Sequence, residues 1–353
     1  MNPTENMNTV ERKYRYIGSA LFVEAGMLIA VAVGFTLLEF AAFATDGLEG
    51  IIALVLALAP VPLLWSLGLW LDRFEPEPPW LLARTFLWGA AVATLVAGII
   101  NTTVGMVAGE FVAAVICAPL IEEAMKGTGV LYVFRKRREH FNGRMDAVVY
   151  ALFVGLGFAV VENVQYYAMG YHEGTDVFTA TVIMRGLLTP FLHPLFTVFT
   201  ALAVARAAEK GKSVINLRTL GGYWCAVFAH GLWNSGIGIF IYPFVLVPLF
   251  IWFVRRILRL RTDQHGEVGA YLKPEIDAGL IPLPVVQRLV LGDFRPRETF
   301  RALGKSDHPL HQWRAFHHAA YQLASYRRMG GTDAAIEAQL REQMTTELAL
   351  LTM

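Results

Sequence analysis

The sequence predicts an all-α, polytopic membrane protein of about eight transmembrane helices that ends in a small helical cytoplasmic tail. Composition is the first reason. Of 353 residues, 55% are hydrophobic and 17% charged, and the mean hydropathy is +0.46; soluble globular chains carry roughly a quarter charged residues. Patterning is the second. The charges are clustered, and between clusters run apolar stretches of about the 20 residues that a helix needs to cross a bilayer. The third is the absence of strand-like alternation. Backbone polar groups in lipid must be satisfied within their own segment, so such runs are helices.

The elements follow in order. A polar start, Met1 to Tyr16, precedes an apolar run too long for the core of a cleavable signal peptide, so residues 1–16 read as a cytoplasmic N-terminal tail. The apolar segments are then about Ile17–Ala44, Leu48–Leu71, Trp80–Ile100, Val104–Phe134, Met145–Met169, Ala180–Ala205, Leu220–Ile237 and Ile239–Ile257. Together they make a membrane domain over residues 17–261. From Thr262 onward charge returns, and Gly and Pro punctuate the chain. His311–Met329 places Trp313, Phe316, Ala320 and Leu323 at helical spacing, and Ala334–Leu351 is a second amphipathic stretch. Residues 262–353 therefore read as a helical cytoplasmic unit able to take a partner. Its histidines, His308, His311, His317 and His318, read as surface groups in preference to a metal site.

Loop charge orients the chain. Arg12, Lys13 and Arg15, then Arg73, then Arg135–Arg138 with Arg144, then Arg206, Lys210, Lys212 and Arg218, then Arg255, Arg256, Arg259 and Arg261 all fall on one side. The alternate loops, Thr45–Gly50, Asn101–Thr103, Gly170–Val177 and Gly236–Gly238, hold no Lys or Arg. Positive residues stay inside, which puts both termini of a multi-pass cell-membrane protein in the cytoplasm. A net charge of +1 argues against a nucleic-acid partner. Cys117 and Cys225 lie in apolar runs outside any C-x-x-C pair, which removes redox-dithiol and zinc-ribbon readings.

An ionisable residue inside a membrane helix costs about 2.5–3.5 kcal/mol on insertion scales and needs a reason. Segment four carries Glu122-Glu123-x-x-Lys126, with Glu122 and Lys126 on one helix face. Segment five carries Glu162-Asn163 after Gly155 and Gly157, which allow close helix approach. Segment six carries Arg185, then His193 between Pro190 and Pro194, where the helix is expected to kink. Segment seven carries His230 and Asn234, four apart on one face. Glu122, Glu162, His193 and His230 fall at similar depth on consecutive helices. Carboxylates and imidazoles of this kind can form a zinc site that activates water, or the proton path of a coupled transporter. A scaffold that uses its buried Glu and His structurally is the third option.

The set Glu122-Glu123-x-x-Lys126, Gly157-Phe158-Ala159-x-x-Glu162-Asn163, His193 and His230-x-x-x-Asn234, with the loop Asp72-Arg73-Phe74-Glu75-Pro76-Glu77-Pro78 and Asp146, resembles the PrsW-type intramembrane proteases. These belong to the wider superfamily of CAAX prenyl endopeptidases and Abi proteins. The resemblance covers about Leu71–Ile237. Glu162 stands where the CAAX enzymes have histidine, and Lys126 where they often have arginine, so the chain is nearer the PrsW branch.

The resemblance implies hydrolysis of a peptide bond in a membrane-protein substrate, such as a membrane-anchored anti-sigma factor at the first step of a signalling cascade. Under it, Glu122 is the general base and Glu123 assists. Lys126 positions both glutamates, and Asn234 donates to the oxyanion. Glu162, His193 and His230 bind a metal, with zinc expected. In the metal-free alternative, Glu122 and Glu162 activate the water while His230 and Asn234 form the oxyanion hole.

Overall fold

The computed structural model describes residues 47–73, 76–137, 140–141, 143–210, 212–237, 244, 247–291, 310–328 and 330–352. The first expected segment, Ile17–Ala44, and the basic residues Arg12, Lys13 and Arg15 lie outside them, as do Phe74, Glu75, Arg138 and His308. The described residues are helical and contain no strand. In chain order the helices are α1 (Leu48–Leu71), α2 (Pro79–Ala108), α3 (residues 110–136), α4 (Arg144–Glu173), α5 (Thr175–Leu188), α6 (Leu192–Glu209), α7 (Leu217–Asn234) and α8 (Val247–Tyr271). The C-terminal region adds α9 (Lys273–Asp277), α10 (Leu283–Leu291), α11 (Leu310–Arg328) and α12 (Ala334–Thr352).

By length and composition α1, α2 and α4 can each cross a membrane, and α5 with α6 passes the same test together, as a broken span or a re-entrant loop bent by 41° at residues 189–191. The bend lies where the prolines place it. Pro190 has no N–H to continue the ladder, and Thr189 closes the preceding turn by bonding back to Met184 O through both its N–H and its Oγ1. The long helices α3 and α7 are more polar because they carry the interior acids, lysine and histidine.

One boundary differs from expectation. Asn101–Thr103, read as a loop between the third and fourth segments, lies inside α2, and the chain turns at Gly109, where φ is +90°. Two of the polar residues fit the helix because their donors find acceptors within the fold. Thr103 bonds back to Ile99 O, and Asn101 bonds across to Glu122.

α4 is the axle of the membrane part, buried over most of its length and in contact with α1, α2, α3, α5 and α6. Two close approaches make this packing specific. A Cβ on Gly157 would stand 1.9 Å from Phe86 O, and one on Gly155 would stand 2.5 Å from Pro194 N. Only glycine lets α2 and α6 come this near, and those contacts set the positions of Glu162 and His193. Gly89 returns the same relation from α2, where its Cβ would meet Val154 O at 1.9 Å.

The C-terminal region has its own apolar cluster, which joins Val268 and Leu272 to Trp313, Phe316, Tyr321, Leu323, Met344 and Leu348. α8 runs unbroken through residue 262 and supplies Val268 to this cluster, with Leu272 directly after its last residue. His317 corrects the surface reading of the tail histidines. It is 1% exposed, 5.0 Å from the Trp313 ring and stacked on Tyr321, because it shares the apolar face one turn beyond Trp313. Under the cluster, the buried Glu275 takes two bonds from Arg327, at 2.8 and 2.9 Å, and a third contact from Arg341. Burial alone would push this carboxyl up; the Arg327 bonds and charge overcome it and hold it below the ordinary value.

Two outcomes test this packing. Gly157→Val should destabilise the protein by about 1–3 kcal/mol, seen as a lower thermal midpoint in detergent. Gly221→Ala, whose Cβ meets nothing within 4 Å, should leave the midpoint in place. A lowered Glu275 pKa contributes stability that is present above the unfolded value and lost as pH falls through the folded value. Trp313 fluorescence should therefore report loosening of the C-terminal cluster on acidification, and Glu275→Gln should flatten that response.

Candidate active site

Four helices bring the interior polar residues to one place, and local backbone features aim them. In α3 the stretch Ala113–Cys117 is wound as a wider π-helix just before Pro119. Pro119 cannot bond to Val115 O, so carbonyls of this turn are released toward α7. Ala114 O accepts from Asn234 Nδ2 at 2.9 Å, and Val115 O lies against Gly231, where a Cβ would meet it at 2.9 Å. This seats α7 on α3 and points His230 at the two glutamates. The Trp88 indole on α2 donates to Met125 O at 3.0 Å and pins α3 from the other side.

Lys126 is the hub. It is fully buried, and its Nζ lies 2.7 Å from Glu123 Oε1, 3.5 Å from Glu122 Oε2 and 3.1 Å from His193 Nδ1. Its ammonium also sits 4.2 Å from the centre of the Phe158 ring. Glu123 is equally buried; Oε1 also faces His230 Nδ1 at 3.0 Å, and Oε2 accepts from Thr197 at 3.3 Å. Glu162 Oε2 lies 2.7 Å from His193 Nε2 and is paired with Arg185, whose Nε donates to Asn163 Oδ1 at 2.8 Å. The two imidazoles stand nearly perpendicular, 5.3 Å apart.

Glu122 differs from its neighbours. Oε1 accepts a 3.3 Å bond from Asn101, but Oε2 is buried with no hydrogen-bond partner, only the longer contacts to Lys126 and, at 3.8 Å, to His230 Nε2. It faces a cavity of about 280 Å³ that Asn101, Glu110, Glu162, Tyr166 and Asn234 also line. The lining comes from α2, α3, α4 and α7 and extends to Glu110, beside the Gly109 turn, and to Met169 near the end of α4, on the side away from the Lys- and Arg-rich loops.

All seven residues singled out in the sequence thus occur in one neighbourhood. Glu122, Glu162 and Asn234 reach the cavity, whereas Glu123 and Lys126 stand behind it. Glu122, His193 and His230 each offer a ligand atom within 4.8 Å of the other two. Glu162 touches His193 but spends Oε2 on Arg185. Two contributors are not legible in the sequence: Asn101 reads as a loop residue and Thr197 as an ordinary helix threonine. Arg185 stands out as a charge in an apolar run, but its partner shows only where α5 lies against α4.

A second buried carboxylate group, Asp72, Glu77 and Asp146, lies where the loop after α1 meets the head of α4. Asp72 accepts from the Glu77 amide at 2.6 Å, and Asp146 accepts from Gly143 N at 2.9 Å, capping α4. Burial pushes the Asp72 carboxyl up to about 8 against the lowering effect of that Glu77 bond. The group staples the loop to the axle helix.

Comparison with known proteins places the chain in a family. The family described as PrsW family intramembrane metalloprotease matches residues 77–256, which include every residue of the site. The chain is 30% identical over 183 residues to the Protease PrsW of Geobacillus kaustophilus, a match that spans 51% of this chain and 70% of that protein. It is 26% identical over 207 residues to the Protease PrsW of Halalkalibacterium halodurans, spanning 57% of this chain and 92% of that protein. The Protease PrsW of Clostridioides difficile matches at 25% over 162 residues, 44% of this chain and 66% of that protein. No solved structure matches the chain. The chain belongs to the PrsW family of intramembrane metalloproteases, and it is a membrane-embedded peptidase.

Proposed function

We propose that this peptidase hydrolyses a peptide bond of a membrane-protein substrate in the cavity lined by Glu122, Glu162 and Asn234. One observation carries the reading: the distribution of charge. Glu123 is matched by Lys126 and Glu162 by Arg185, whereas Glu122 lies at the cavity without a cation of its own and with an oxygen that receives no hydrogen bond. A lone pair without a hydrogen-bond donor, on a carboxylate without its own cation, is what a proton acceptor needs. In this scheme Glu122 takes a proton from water as that water attacks the scissile carbonyl, then delivers it to the leaving amine. Asn234 gives one amide hydrogen to Ala114 O and has a second for the developing oxyanion. Lys126 fixes both glutamates.

The donor set also fits the metal that the family description implies. Three carboxylates against two cations leave a formal negative charge with the imidazoles neutral, and the unsatisfied Glu122 Oε2 lies beside both histidines. Glu122, His193 and His230 would hold the ion, for which nitrogen and oxygen donors favour zinc. With Oε2 on the ion, Oε1 would still have a second lone pair beside its Asn101 bond to accept the proton. Glu162, the ligand named in the sequence analysis, takes a place one step further out in this reading, as the partner of His193. When bound, the metal would polarise the scissile carbonyl and lower the pKa of the attacking water.

Loop charge and the position of the cavity support cleavage near the outer face, as expected for a membrane-anchored anti-sigma factor cut at a first site. Residues 17–261 would be the protease domain in the membrane, and residues 262–353 a cytoplasmic unit. Glu122→Gln should lower cleavage of a reconstituted membrane-protein reporter by about 10²–10⁴-fold, and Asn234→Ala should lower kcat by about 10²–10³-fold; full activity of Glu122→Gln would end the reading. Chelation should abolish cleavage and zinc should restore it, whereas metal-free protein that still cleaves would confine the chemistry to the side chains. Lys126→Met should cost about 3–5 kcal/mol of stability by stranding the buried glutamates, measurable as a lowered unfolding midpoint.

A further inference from the structure

We propose that Arg185 is a positioning residue of this reaction centre, acting through Glu162 to fix the orientation and tautomer of His193. The inference deepens the function proposed above and uses the same site. Arg185 enters from α5, on the far side of the 41° bend from His193. Its guanidinium grips α4 at three points on one face. It pairs with Glu162, donates to Asn163 Oδ1 at 2.8 Å and lies 3.9 Å over the Tyr166 ring. Glu162 Oε2, held this way, lies 2.7 Å from His193 Nε2.

The other ring nitrogen decides the proton's place. Nδ1 of His193 is 3.1 Å from Lys126 Nζ, and an ammonium group only donates. Nδ1 therefore presents its lone pair, and the ring proton sits on Nε2 and is donated to Glu162. That lone pair takes the Lys126 hydrogen bond and lies on the Glu122 side of the ring, so an ion held through Nδ1 would take the place of Lys126 there. The same construction recurs on the other imidazole. Lys126 holds Glu123, and Glu123 Oε1 stands 3.0 Å from His230 Nδ1, so that the Nε2 of His230 turns toward Glu122. Each imidazole thus has its own carboxylate, and each carboxylate its own cation. Carboxylate partners of this kind set the tautomer and ring orientation of functional histidines. Without Arg185, Glu162 is a buried carboxylate with no cation and without the guanidinium that holds its oxygen in place. The Nε2 bond then loses its fixed acceptor, and the ring is free to turn and adopt the other tautomer.

The test uses the full chain in lipid nanodiscs with ¹⁵N-labelled histidine, the His193 signals being identified by their loss in His193→Gln. The wild-type protein should show His193 protonated at Nε2 and bare at Nδ1. Arg185→Gln should bring the Nδ1-protonated form to a comparable population and lower kcat by about 10–100-fold, with KM changed by less than about twofold. Arg185→Lys, which keeps the charge and loses the two-pronged grip, should fall between them in both readouts. It also supplies the answer if the glutamine variant does not fold. A role for Arg185 limited to tying α5 to α4 would lower the unfolding midpoint and leave the His193 nitrogen spectrum unchanged, and that spectrum would overturn the inference. A wild-type protein that cleaves no reporter would overturn the proposed function, while the spectra would still judge Arg185.

Discussion

Pairing of charge in a medium that cannot solvate it is the constraint on which the rest of this molecule depends. Three glutamates, a lysine and an arginine sit where an isolated ion would cost several kcal/mol even after relaxation. Each must therefore find its partner on another helix or another turn. Lys126 reaches Glu123 on its own helix and His193 on α6; Arg185 reaches from α5 to α4. These contacts tolerate little displacement, so the relative positions of α3, α4, α5 and α6 are set as much by charge as by apolar packing. In lipid there is no hydrophobic drive between helices to do it.

Close packing lets the pairs form. Gly155 and Gly157 bring α6 and α2 against the backbone of α4, and the side chains that must meet are short. A glutamate and a histidine on neighbouring helices touch only if the helices nearly touch. The prolines supply the second device. Pro119 and Pro190 each sit beside a π-helical turn, Ala113–Cys117 and Ile183–Leu188. At the first, a released carbonyl takes the Asn234 amide. At the second, the bend separates Arg185 from His193 so that both can approach Glu162 from different directions.

Much of this was legible in the sequence, and the division between what was and what was not has a physical basis. Composition and run length identify a helical membrane protein because the bilayer dictates both. Glu122, Glu123, Lys126, Glu162, His193, His230 and Asn234 stand out because polar residues in such runs are rare and costly. The glycines and prolines likewise announce the close approaches and the bend. Pairing is not written in that code. Nothing in the spacing says that Arg185 is matched to Glu162, or that Thr197 and Asn101 complete the shell of Glu123 and Glu122. Asn101 and its neighbours read as a loop because hydropathy averages over faces, whereas a polar face turned to a polar interior belongs inside a helix. His317 reads as a surface residue for a related reason: beside Trp313 and Tyr321 its ring packs as an aromatic, which a count of polar residues does not reveal.

The same accounting explains why the centre is poised and not merely stable. Were every carboxylate matched, the site would be a salt-bridge network and nothing more, since a fully satisfied acid neither takes a proton nor attracts an ion. The excess of one carboxylate over the cations places an unsatisfied oxygen, Glu122 Oε2, against two oriented imidazoles at the edge of a cavity. Its buried neighbours keep it there: Lys126 holds the glutamate from behind, and Asn101 occupies the other oxygen. The stability lost by leaving that oxygen bare is what the remaining pairs offset, and the bare oxygen is what gives the site its chemistry.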